Sequence, residues 1–589
     1  MKSIFEYAGR EYTLAVGEDC RVTFRFRGEK AAVITPVCRL DAVSEGVGAD
    51  KKTEFYETVD EEDLSALAVE QTGEGRFVFT SKSTLWEKKT VVLECDEGGF
   101  SFTPTVYGRG AAGKAAYFGS ARVERDADWC EKLVERGSEY EFCEYLVPYP
   151  SEHSRKDASE SFRSFYELMV PPPYVFPCRM EAIGDRRFGF GLVAKPGEYN
   201  FIHFDYTHVH VGHKNTGFYL STDFEGHTKV DGEFALPAIR VFFGEDDLAV
   251  VRAWADWHFA TGLCARPKQT QVPRWWYGPI VCGWNEQDAL TPEGVAQKDT
   301  ATEDVYRKIA DMIGEYGVRP TMLIIDDKWQ RAYGDCLPDP EKWRNMRAFT
   351  DEMHRRGIHT LLWFKMWGGE GLHADEQMDG AGMPYHTVTL DYAPYADPTN
   401  EKYRAHLKKI IYTLLSSDEG CMNCDGFKLD YSLMMPYGKR AKSASGKYGA
   451  ELTHELHKLI YETAKAIKPD ALINASPAHP YFAEYCDMAR LHDYGWGRRN
   501  QTEEMSRRAA IFRATLGDVL IDCDSANYGC REDAMRYYRA QPTIGVPDIY
   551  QFTSDEVYSL DEADWDEIRA SFNGYADEMD RLHGKDETL

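Results

Sequence analysis

The sequence lacks the long apolar stretches that membrane-spanning helices require. No run of about 18 apolar residues occurs in the chain, so we expect no transmembrane segment. The first residues, MKSIFEYAGREYTL, contain neither an apolar core nor a small-residue cleavage site, and they indicate no secretory signal. The 14 cysteines show no framework spacing, which is typical of reduced thiols. We therefore predict a cytoplasmic protein.

Positive charge is also scarce in this chain. The 589 residues include 69 Lys and Arg against 97 Asp and Glu, which gives a formal net charge of −28. Such a chain repels phosphate backbones and anionic lipid surfaces, so we expect no nucleic-acid and no membrane partner. The sequence contains no P-loop, no nucleophile-elbow motif and no HExxH motif. These absences argue against nucleotide hydrolases, serine hydrolases and zinc proteases.

Two hydrophobic patterns divide the chain. Up to about residue 240, apolar and polar residues alternate in short runs between Gly- and Asp-rich turns, for example at 21–26, 77–80, 90–93 and 188–193. This pattern is typical of half-buried antiparallel strands and predicts an N-terminal β-sandwich domain over 1–245. The stretch DDLAVVRAWADWHFATGL then predicts a helix, which with a proline-containing linker connects the domains over 246–273.

From residue 274 onward, short apolar runs alternate with long amphipathic stretches. The apolar runs lie at 278–284, 321–327, 357–364, 425–430, 471–476, 486–493, 518–524 and 547–552. Between them apolar residues recur at helical spacing, as at Val305, Ile309 and Met312. Eight strands alternating with helices predict a (β/α)8 TIM barrel over 274–589. The alternative is an open doubly wound sheet, but no Gly-rich phosphate turn follows the first strand.

Carboxylates stand at the carboxyl ends of the predicted barrel strands, where the active sites of such barrels lie. They are Glu286, Asp326, Asp327, Asp430, Asp493, Asp522 and Asp524. A single Asp at such a position is more often a helix N-cap. Several carboxylates converging on one rim indicate an active site.

The predicted fourth strand, DGFKLDYS, places two charged side chains inside the barrel. Side chains alternate along a strand, so Lys428 and Asp430 share one face. Burying either charge alone is costly, and together they offset each other. A nearby ammonium also favours the ionised carboxylate that a nucleophile requires. The alternative is a purely structural ion pair.

The predicted sixth strand ends in ARLHDYG, with Asp493 at its end. A retaining glycosidase needs an ionised nucleophile and a protonated acid about 5–5.5 Å apart. Asp430 and Asp493 come from strands four and six, and we expect them to face each other across the barrel mouth. Arg490 either holds this site or belongs to a surface ion pair.

At these residues the sequence resembles the α-galactosidase clan (clan D) of glycoside hydrolases, and most of all glycoside hydrolase family 36, the melibiases. The resemblance covers the predicted barrel, and the β-sandwich before it agrees with that family's layout. Five segments carry it: LIIDDKW, HTLLWF, TLDYAPYADPTNEKY, GFKLDYS and RLHDYG. They resemble, in order, the family's Asp-Asp-Gly-Trp motif, Leu-Trp-Phe motif, Leu-Asp segment, Lys-x-Asp nucleophile motif and acid/base strand.

The resemblance implies a role for each matching residue. Asp430 is the implied nucleophile, and Asp493 the implied acid that protonates the leaving oxygen and then activates water. Lys428 is implied to hydrogen-bond the sugar and the nucleophile, and Asp326 and Asp327 to accept hydrogen bonds from the O4 and O6 hydroxyls. The further implied substrate-binding residues are Trp363 or Trp329 as an apolar wall, together with Trp284, Asn285, Asn474, Ser476 and Arg490.

The sequence also departs from the family. Lys328 replaces the Gly of the second-strand motif, and KMW, beginning at Lys365, replaces the usual Glu-Pro-Glu after Leu-Trp-Phe. NASPAHP replaces the Cys- and Gly-rich fifth-strand segment, and little sequence follows the barrel where the family has a β-domain. Lys328, Lys365, Arg498 and Arg499 indicate either a charged or decorated glycone or solvated loops.

These observations predict a retaining exo-α-glycosidase, α-galactosidase-like, that hydrolyses terminal α-linked sugars of oligosaccharides or glycosides by double displacement. One alternative is an α-glycosidase for another glycone, such as N-acetylgalactosamine, glucose or a charged sugar. The others are a transglycosylase that uses the same carboxylates and a catalytically inactive sugar-binding protein. A homo-oligomer is an expectation by analogy with the family.

The proposed chemistry requires no cofactor, and we assign no metal site. The histidines at 203, 208, 210 and 213 form a cluster in the β-domain, but no partner carboxylate is evident for it. Cys421 and Cys424 form a single CxxC without the second pair that a zinc site usually has.

Overall fold

A computed structural model describes residues 3–48, 51–119, 122–125, 131–135, 137–148, 154–163, 169–211, 214–266, 272–378, 394–494, 500–524, 528–555 and 558–584. In these ranges the chain forms antiparallel sheets followed by a ring of parallel strands surrounded by helices. None of the helices in these ranges combines the length and the apolar character that crossing a lipid bilayer demands.

The N-terminal part is built from twenty described strands. They are β1 (Ser3–Ala8), β2 (Tyr12–Gly17), β3 (Val22–Phe26), β4 (Glu29–Ile34), β5 (Cys38–Val47), β6 (Thr53–Thr58), β7 (Glu62–Gly73), β8 (Arg76–Ser83), β9 (Lys88–Asp96), β10 (Gly99–Tyr117), β11 (Arg122–Arg125), β12 (Glu131–Glu135), β13 (Glu139–Tyr140), β14 (Glu144–Leu146), β15 (Arg155–Asp157), β16 (Val175–Arg179), β17 (Arg187–Val193), β18 (Asp205–Val211), β19 (Lys214–Ala235) and β20 (Ala238–Gly244). Strands β1 to β4 and β13 form one antiparallel sheet, and β11 pairs with β12. The remaining strands form a larger sheet, in which the long β10 pairs with β5, β9, β19 and β20.

The five-stranded and thirteen-stranded sheets pack face to face through aromatic side chains. Along β3, alternate residues are buried, and Phe24 projects from this strand into the core. Its ring packs edge-on against Phe100 of β10 and Phe188 of β17, with ring centroids 5.0 and 5.1 Å apart. Edge-to-face packing of this kind adds to the burial of large apolar surfaces. The predicted N-terminal β-sandwich is confirmed.

Helix α1 (Asp247–Ala260) follows the sandwich, where the sequence predicts a connecting helix. Asp246 caps it by accepting a hydrogen bond from the Ala249 backbone N–H at 2.7 Å. Trp254 packs against both parts of the chain. Its indole N–H donates to the Leu192 carbonyl in the sandwich at 2.8 Å, and its ring lies 4.8 Å from that of His479 beside the barrel.

The C-terminal part alternates strands and helices. Its strands are β21 (Ile280–Cys282), β22 (Met322–Ile325), β23 (His359–Lys365), β24 (Gly426–Asp430), β25 (Leu472–Ala475), β26 (Met488–Arg490), β27 (Leu520–Asp522) and β28 (Asp548–Ile549). Its helices are α2 (Trp284–Ala289), α3 (Glu303–Glu315), α4 (Met346–Arg355), α5 (Glu401–Leu415), α6 (Gly449–Ile467), α7 (Gln501–Leu516), α8 (Arg531–Ile544) and α9 (Glu562–His583). Each strand overlaps one of the eight predicted apolar runs.

The eight strands form a nearly closed parallel ring. The order runs from β27 down to β21 and then to β28, and a parallel bridge between Asp522 and Val546 joins the two ends. This closure confirms the TIM barrel and excludes the open doubly wound sheet. The barrel interior is filled by an apolar cluster of inward-facing residues: Ile280, Cys282, Met322, Ile324, Leu361, Leu472, Met488, Val546 and Tyr550, with Trp275 and Trp276 below them.

Candidate active site

The polar side chains of the site continue the inward face of the barrel strands. On β23, Leu361 belongs to the interior apolar cluster, and Trp363 and Lys365 follow at alternate positions. On β24, Lys428 and Asp430 occupy the corresponding inward positions, as the sequence predicts. The apolar bottom of the barrel therefore gives way to charged groups towards its carboxyl-terminal mouth.

Four groups of the described residues surround the Asp430 carboxylate at the end of β24. The Trp363 indole N–H donates to Oδ2 at 2.9 Å, and the Tyr431 backbone N–H donates to Oδ1 at 2.7 Å. Arg490 Nη1 and His492 Nε2 lie 3.0 and 3.2 Å from Oδ1. Burial raises the pKa of Asp430, but Arg490 and His492 outweigh burial and hold this pKa well below its usual value. The carboxylate is therefore ionised.

The Lys428 ammonium bonds to partners across the barrel rather than to Asp430. It donates to Asp326 Oδ2 at 2.9 Å and to the Tyr550 hydroxyl at 3.1 Å, and it lies 4.0 Å from Asp524. The expected hydrogen bond to Asp430 is replaced because inward residues two apart on one strand are about 6.6 Å from each other. The partners that the ammonium does reach follow β22, β27 and β28 and point into the same barrel interior. Asp326 is 3 % exposed and forms a buried ion pair with Lys428.

Arg490 bridges two carboxylates inside the barrel, so it is not a member of a surface ion pair. Its Nε donates to Asp524 Oδ2 at 2.5 Å while Nη1 lies beside Asp430. The Tyr550 hydroxyl donates to the other oxygen of Asp524. Burial raises the pKa of Asp524, but Arg490 and then Lys428 outweigh burial, and the net shift is downward. Asp524 thus anchors Arg490, which in turn neutralises Asp430.

A left-handed residue brings Asp493 to the mouth. His492 has a φ of 66°, which ends the strand alternation, and the Asp493 backbone N–H donates to His492 Nδ1 at 2.9 Å. The Asp493 carboxyl group is partly exposed, and no side chain of the described residues donates a hydrogen bond to it. Burial and the neighbouring Asp524 carboxylate raise the pKa of Asp493. Its surroundings therefore favour the protonated form, in contrast to those of Asp430.

In the described part of the chain, three strand exits around the mouth share this left-handed conformation. The residues are Lys328 after β22, Tyr431 after β24 and His492 after β26, with φ values of 69°, 58° and 66°. Side chains other than glycine adopt this conformation at a cost, and such residues cluster at functional sites. At the position of Lys328 the resembled family has Gly, which adopts a positive φ without strain.

The mouth carries a second set of polar groups around Asp327 and Lys365. The Tyr333 hydroxyl donates to Asp327 Oδ1 at 3.0 Å. The Lys365 ammonium lies 4.3 and 4.9 Å from the ring centroids of Tyr333 and Tyr431, within the range of cation–π attraction. Burial and the neighbouring Asp326 and Asp430 carboxylates raise the pKa of Asp327 to about 7.

The structure brings only part of the predicted sugar-contact set to the mouth. Trp363 donates its indole N–H to Asp430, as described above, and is itself 1 % exposed. Trp329 is fully buried and donates its indole N–H to the Trp363 carbonyl at 2.8 Å. Asn474 lies within β25 rather than in a loop, and it donates to Asp522 at 2.6 Å. Ser476 follows that strand but is 2 % exposed.

Trp284 and Asn285 are partly exposed at the start of α2, just after β21, where the sequence places them. Glu286, next to them, has a structural role. Its carboxylate accepts hydrogen bonds from the backbone N–H groups of Phe552 and Thr553 at 2.6 and 3.0 Å. This residue therefore joins the loop after the first barrel strand to the loop after the last.

The sequence reasoning missed His492, Tyr550 and Tyr333 as site residues. Alternation along β26 was a usable signal for the first, because His492 stands two residues after the inward-facing Arg490. Tyr550 stands two residues after Asp548 on the last strand in the same way. No local pattern marks Tyr333, which lies in the segment between β22 and α4.

Metal-competent side chains meet at the opposite, amino-terminal end of the barrel. Atoms of His354, His359 and Asp425 lie within 4.8 Å of one another. However, the Lys468 ammonium already lies 2.8 Å from Asp425 Oδ1, and the Thr360 backbone N–H donates to Oδ2 at 2.8 Å. A cation of the chain itself thus balances this carboxylate, and we interpret the cluster as structural.

Some sequence-based expectations concern residues outside the described ranges. These residues are 389–393 of the segment TLDYAPYADPTNEKY, together with Arg498, Arg499 and His213. Within the described part of the β-domain, the rings of His208 and His210 stack 5.8 Å apart.

No protein-family model matches the chain, and no curated protein is similar to it in sequence. Solved structures do match. A GH31-family sulfoquinovosidase from E. rectale, in complex with an aza-sugar inhibitor, superimposes with a TM-score of 0.56 at 13 % identity, covering 97 % of this chain and 83 % of that chain. A cycloalternan-forming enzyme from Listeria monocytogenes, in complex with a pentasaccharide substrate, matches with a TM-score of 0.54 at 12 % identity, covering 98 % of this chain and 65 % of that chain.

An α-galactosidase from Thermus thermophilus, in complex with stachyose, matches with a TM-score of 0.50 at 15 % identity, covering 86 % of this chain and 99 % of that chain. At these identities the similarities concern the fold. The chain therefore shares its overall fold with enzymes that act on sugars, over nearly its whole length.

Proposed function

We propose that the chain is a retaining exo-α-glycosidase in which Asp430 is the nucleophile and Asp493 the acid/base. One observation carries this proposal: two carboxyl groups at the barrel mouth, on residues that both contact the His492 ring, have pKa values shifted in opposite directions. Pairs of titratable groups with such opposed environments are typical of an ionised nucleophile and a protonated acid. The shared fold with sugar-processing enzymes supports the same conclusion.

The proposed reaction has two steps. A carboxylate oxygen of Asp430 forms a bond to the anomeric carbon while the glycosidic C–O bond breaks, and Asp493 gives its proton to the leaving oxygen. Water then attacks the anomeric carbon, its proton passes to the Asp493 carboxylate, and the bond to Asp430 breaks. Two inversions at the anomeric carbon give net retention.

For the glycone we propose an α-galactose-like sugar, because the strand motifs resemble family 36 and the Thermus α-galactosidase shares the fold. The resemblance implies that two carboxylates accept hydrogen bonds from the sugar hydroxyls, and the structure supports this role for only one of them. Asp327 is partly exposed at the mouth, whereas Asp326 is committed to Lys428. A single acceptor still permits recognition of one hydroxyl of the glycone.

The test uses an aryl α-galactoside and two alanine variants. Asp430→Ala should lose essentially all turnover, and added azide should then give the β-glycosyl azide by a single displacement. Asp493→Ala should keep activity on substrates with very good leaving groups, and azide should give the α-glycosyl azide. Proton NMR of the azide products distinguishes the anomers. Azide products of the same anomer from both variants would contradict the assignment.

A charged glycone is the second candidate, and Lys365 is the observation that favours it. Its ammonium lies at the mouth, on the strand next to Asp430, where the resembled family has an acidic residue. A neighbour in fold is a sulfoquinovosidase, an enzyme for a sulfonated sugar by its name. A panel of aryl α-glycosides with neutral, uronic-acid and 6-sulfonate glycones separates the candidates. Preference for an acidic glycone that Lys365→Met abolishes would replace the galactose assignment.

A further inference from the structure

The two oxygens of the Asp430 carboxylate have unequal surroundings. Oδ1 faces three nitrogen donors: the Tyr431 backbone N–H at 2.7 Å, Arg490 Nη1 at 3.0 Å and His492 Nε2 at 3.2 Å. Among the described residues Oδ2 faces one, the Trp363 indole N–H at 2.9 Å. A carboxylate oxygen offers about two lone-pair directions, so the hydrogen bond from Tyr431 and the two further nitrogens beside Oδ1 leave it little room for another bond, while Oδ2 retains a direction for one.

The tautomer of His492 follows from its second contact. The Asp493 backbone N–H donates to Nδ1 of His492 at 2.9 Å, so Nδ1 must carry a lone pair rather than a proton. A neutral imidazole then has its proton on Nε2, the nitrogen that faces Oδ1 of Asp430. The ring therefore has its protonated nitrogen 3.2 Å from the nucleophile and accepts from the backbone of the acid/base residue at the same time.

We propose that His492 is a positioning residue that holds Asp430 through Oδ1, leaves Oδ2 as the attacking oxygen, and fixes the nucleophile and the acid/base relative to each other. This inference rests on the proposed function. His492 keeps its proton throughout the reaction. In the first step Oδ2 forms the bond to the anomeric carbon, and Oδ1 becomes the carbonyl oxygen of the ester. In the second step the C–Oδ2 bond breaks and the carboxylate returns.

The backbone conformation supports this assignment. The left-handed φ of His492 turns the chain between Arg490, which faces the barrel interior, and Asp493, which faces the mouth. The side chain of His492 is 9 % exposed, and both of its ring nitrogens are used by the two carboxylate-bearing residues. An imidazole placed only to fill space would not need both contacts.

The kinetic test compares His492→Ala with His492→Gln, whose amide N–H can replace Nε2–H as a donor. The control is His354→Gln, a matched change at the opposite end of the barrel, where the ring contacts Asp425. We expect His492→Ala to lower kcat by about 100-fold with little change in KM, because a small misplacement of a reacting group has this order of cost. The Gln variant should recover to within about tenfold of the wild type.

Several outcomes would overturn the inference. They are an unchanged kcat in His492→Ala, an effect confined to KM, or equal losses in His492→Ala and His492→Gln while both keep the Tm of the wild type. An equal kcat loss in His354→Gln would also do so, because the effect would then be one of general stability. If the wild type cleaves no α-glycoside, the proposed function itself fails, and this result is distinct from all the others.

A second measurement needs no variant. A mechanism-based fluoroglycoside should trap the glycosyl-enzyme, and a crystal structure of the trapped wild type should show the ester bond at Oδ2, with His492 Nε2 still within hydrogen-bond distance of Oδ1. An ester at Oδ1, or a His492 ring turned away from Asp430, would overturn the inference. An ester on any residue other than Asp430 would instead overturn the proposed function.

Discussion

Asp430 and Asp493 carry the same functional group but meet different neighbours. Asp430 lies among Arg490, His492 and two N–H donors, and these favour its charged form. Asp493 has the Asp524 carboxylate near it, and the described residues offer its carboxyl group no hydrogen bond. Opposed environments of this kind allow one carboxyl group to attack and the other to donate a proton at the same pH.

The raised pKa of Asp493 predicts the alkaline limb of the pH profile. A raised pKa keeps Asp493 protonated to a higher pH than an ordinary Asp, and kcat/KM should fall as the pH passes above that pKa. The check is kcat/KM against pH for an aryl glycoside. In Asp493→Ala, assayed with a dinitrophenyl glycoside that needs no acid, the alkaline limb should disappear. A limb that persists in this variant would assign it to another group, with Asp327 as the next candidate.

At the scale of the elements, the two ends of the barrel strands have different tasks. Towards the mouth, β22, β24 and β26 are followed by residues with positive φ that lie in the candidate site. At the amino-terminal end, Asp425 precedes β24 and ties it to its surroundings. Its carboxylate contacts His354 at 2.7 Å, Lys468 at 2.8 Å and the backbone N–H of Thr360 on β23 at 2.8 Å. Such a division is typical of TIM barrels.

We therefore predict that removing the Asp425 carboxylate lowers the stability of the protein but leaves its catalytic rate nearly unchanged. Burial raises the pKa of Asp425, but His354, His359 and Lys468 outweigh burial and lower this pKa, so the carboxylate is ionised. Asp425→Ala leaves Lys468 without its buried partner, and we expect a cost of about 3–5 kcal/mol. Denaturant unfolding measures it, while kcat at low temperature should stay near that of the wild type. The matched control is Asp470→Ala, an exposed position nearby, which should change little.

At the scale of the whole molecule, neutral imidazoles lie buried between packed elements. His457 of α6 is 1 % exposed, and its ring packs edge-on against Phe482 at 5.3 Å. Neither ring nitrogen has a hydrogen-bond partner among the described residues. Burial, with a smaller contribution from His454, lowers the pKa of His457 to about 3. His258 of α1, also buried, has its pKa lowered by burial to about 4.

These histidines predict that stability falls in mild acid. The unfolded chain takes up a proton on His457 below about pH 6.5, whereas the folded chain does so only near its lowered pKa, so folding stability drops by about 1.4 kcal/mol per pH unit in between. His457→Leu removes this term. The free energy of unfolding of His457→Leu, relative to that of the wild type, should therefore rise by about 2 kcal/mol between pH 6.5 and pH 5.

Thermal unfolding at pH 7.5 and pH 5 gives the measurement for His457. The matched control is His583→Leu at the exposed end of α9, whose Tm should follow that of the wild type at both values. A constant Tm difference between His457→Leu and the wild type across this range would show that His457 is not buried in its neutral form.

Much of the architecture follows from local sequence pattern. The barrel strands β21 to β28 coincide with the predicted apolar runs, and α3 coincides with the predicted helical spacing, because both signals depend on residues close together in the chain. Side-chain alternation placed Lys428 and Asp430 inside the barrel. It did not identify the partner of Lys428, because Asp326, Tyr550 and Asp524 come from three other strands.

The sequence predicted the main residues of the site but not the contacts between them. Asp430 and Asp493 were predicted as a pair from strand order and from the motifs. Their link through His492 depends on a left-handed turn and on ring orientation, which no periodicity encodes. Asn474 and Trp329 were predicted as sugar contacts, but the closed ring buries both of them.

The sequence by itself determined the order of strands and helices, the face on which each side chain lies, and the positions of the carboxylates at the strand ends, because these depend on residues close together in the chain. Only the tertiary structure decided which charges meet. Ring closure brings Arg490 between Asp430 and Asp524 and commits Asp326 to Lys428, since each buried charge must find a counter-charge or donors across strands.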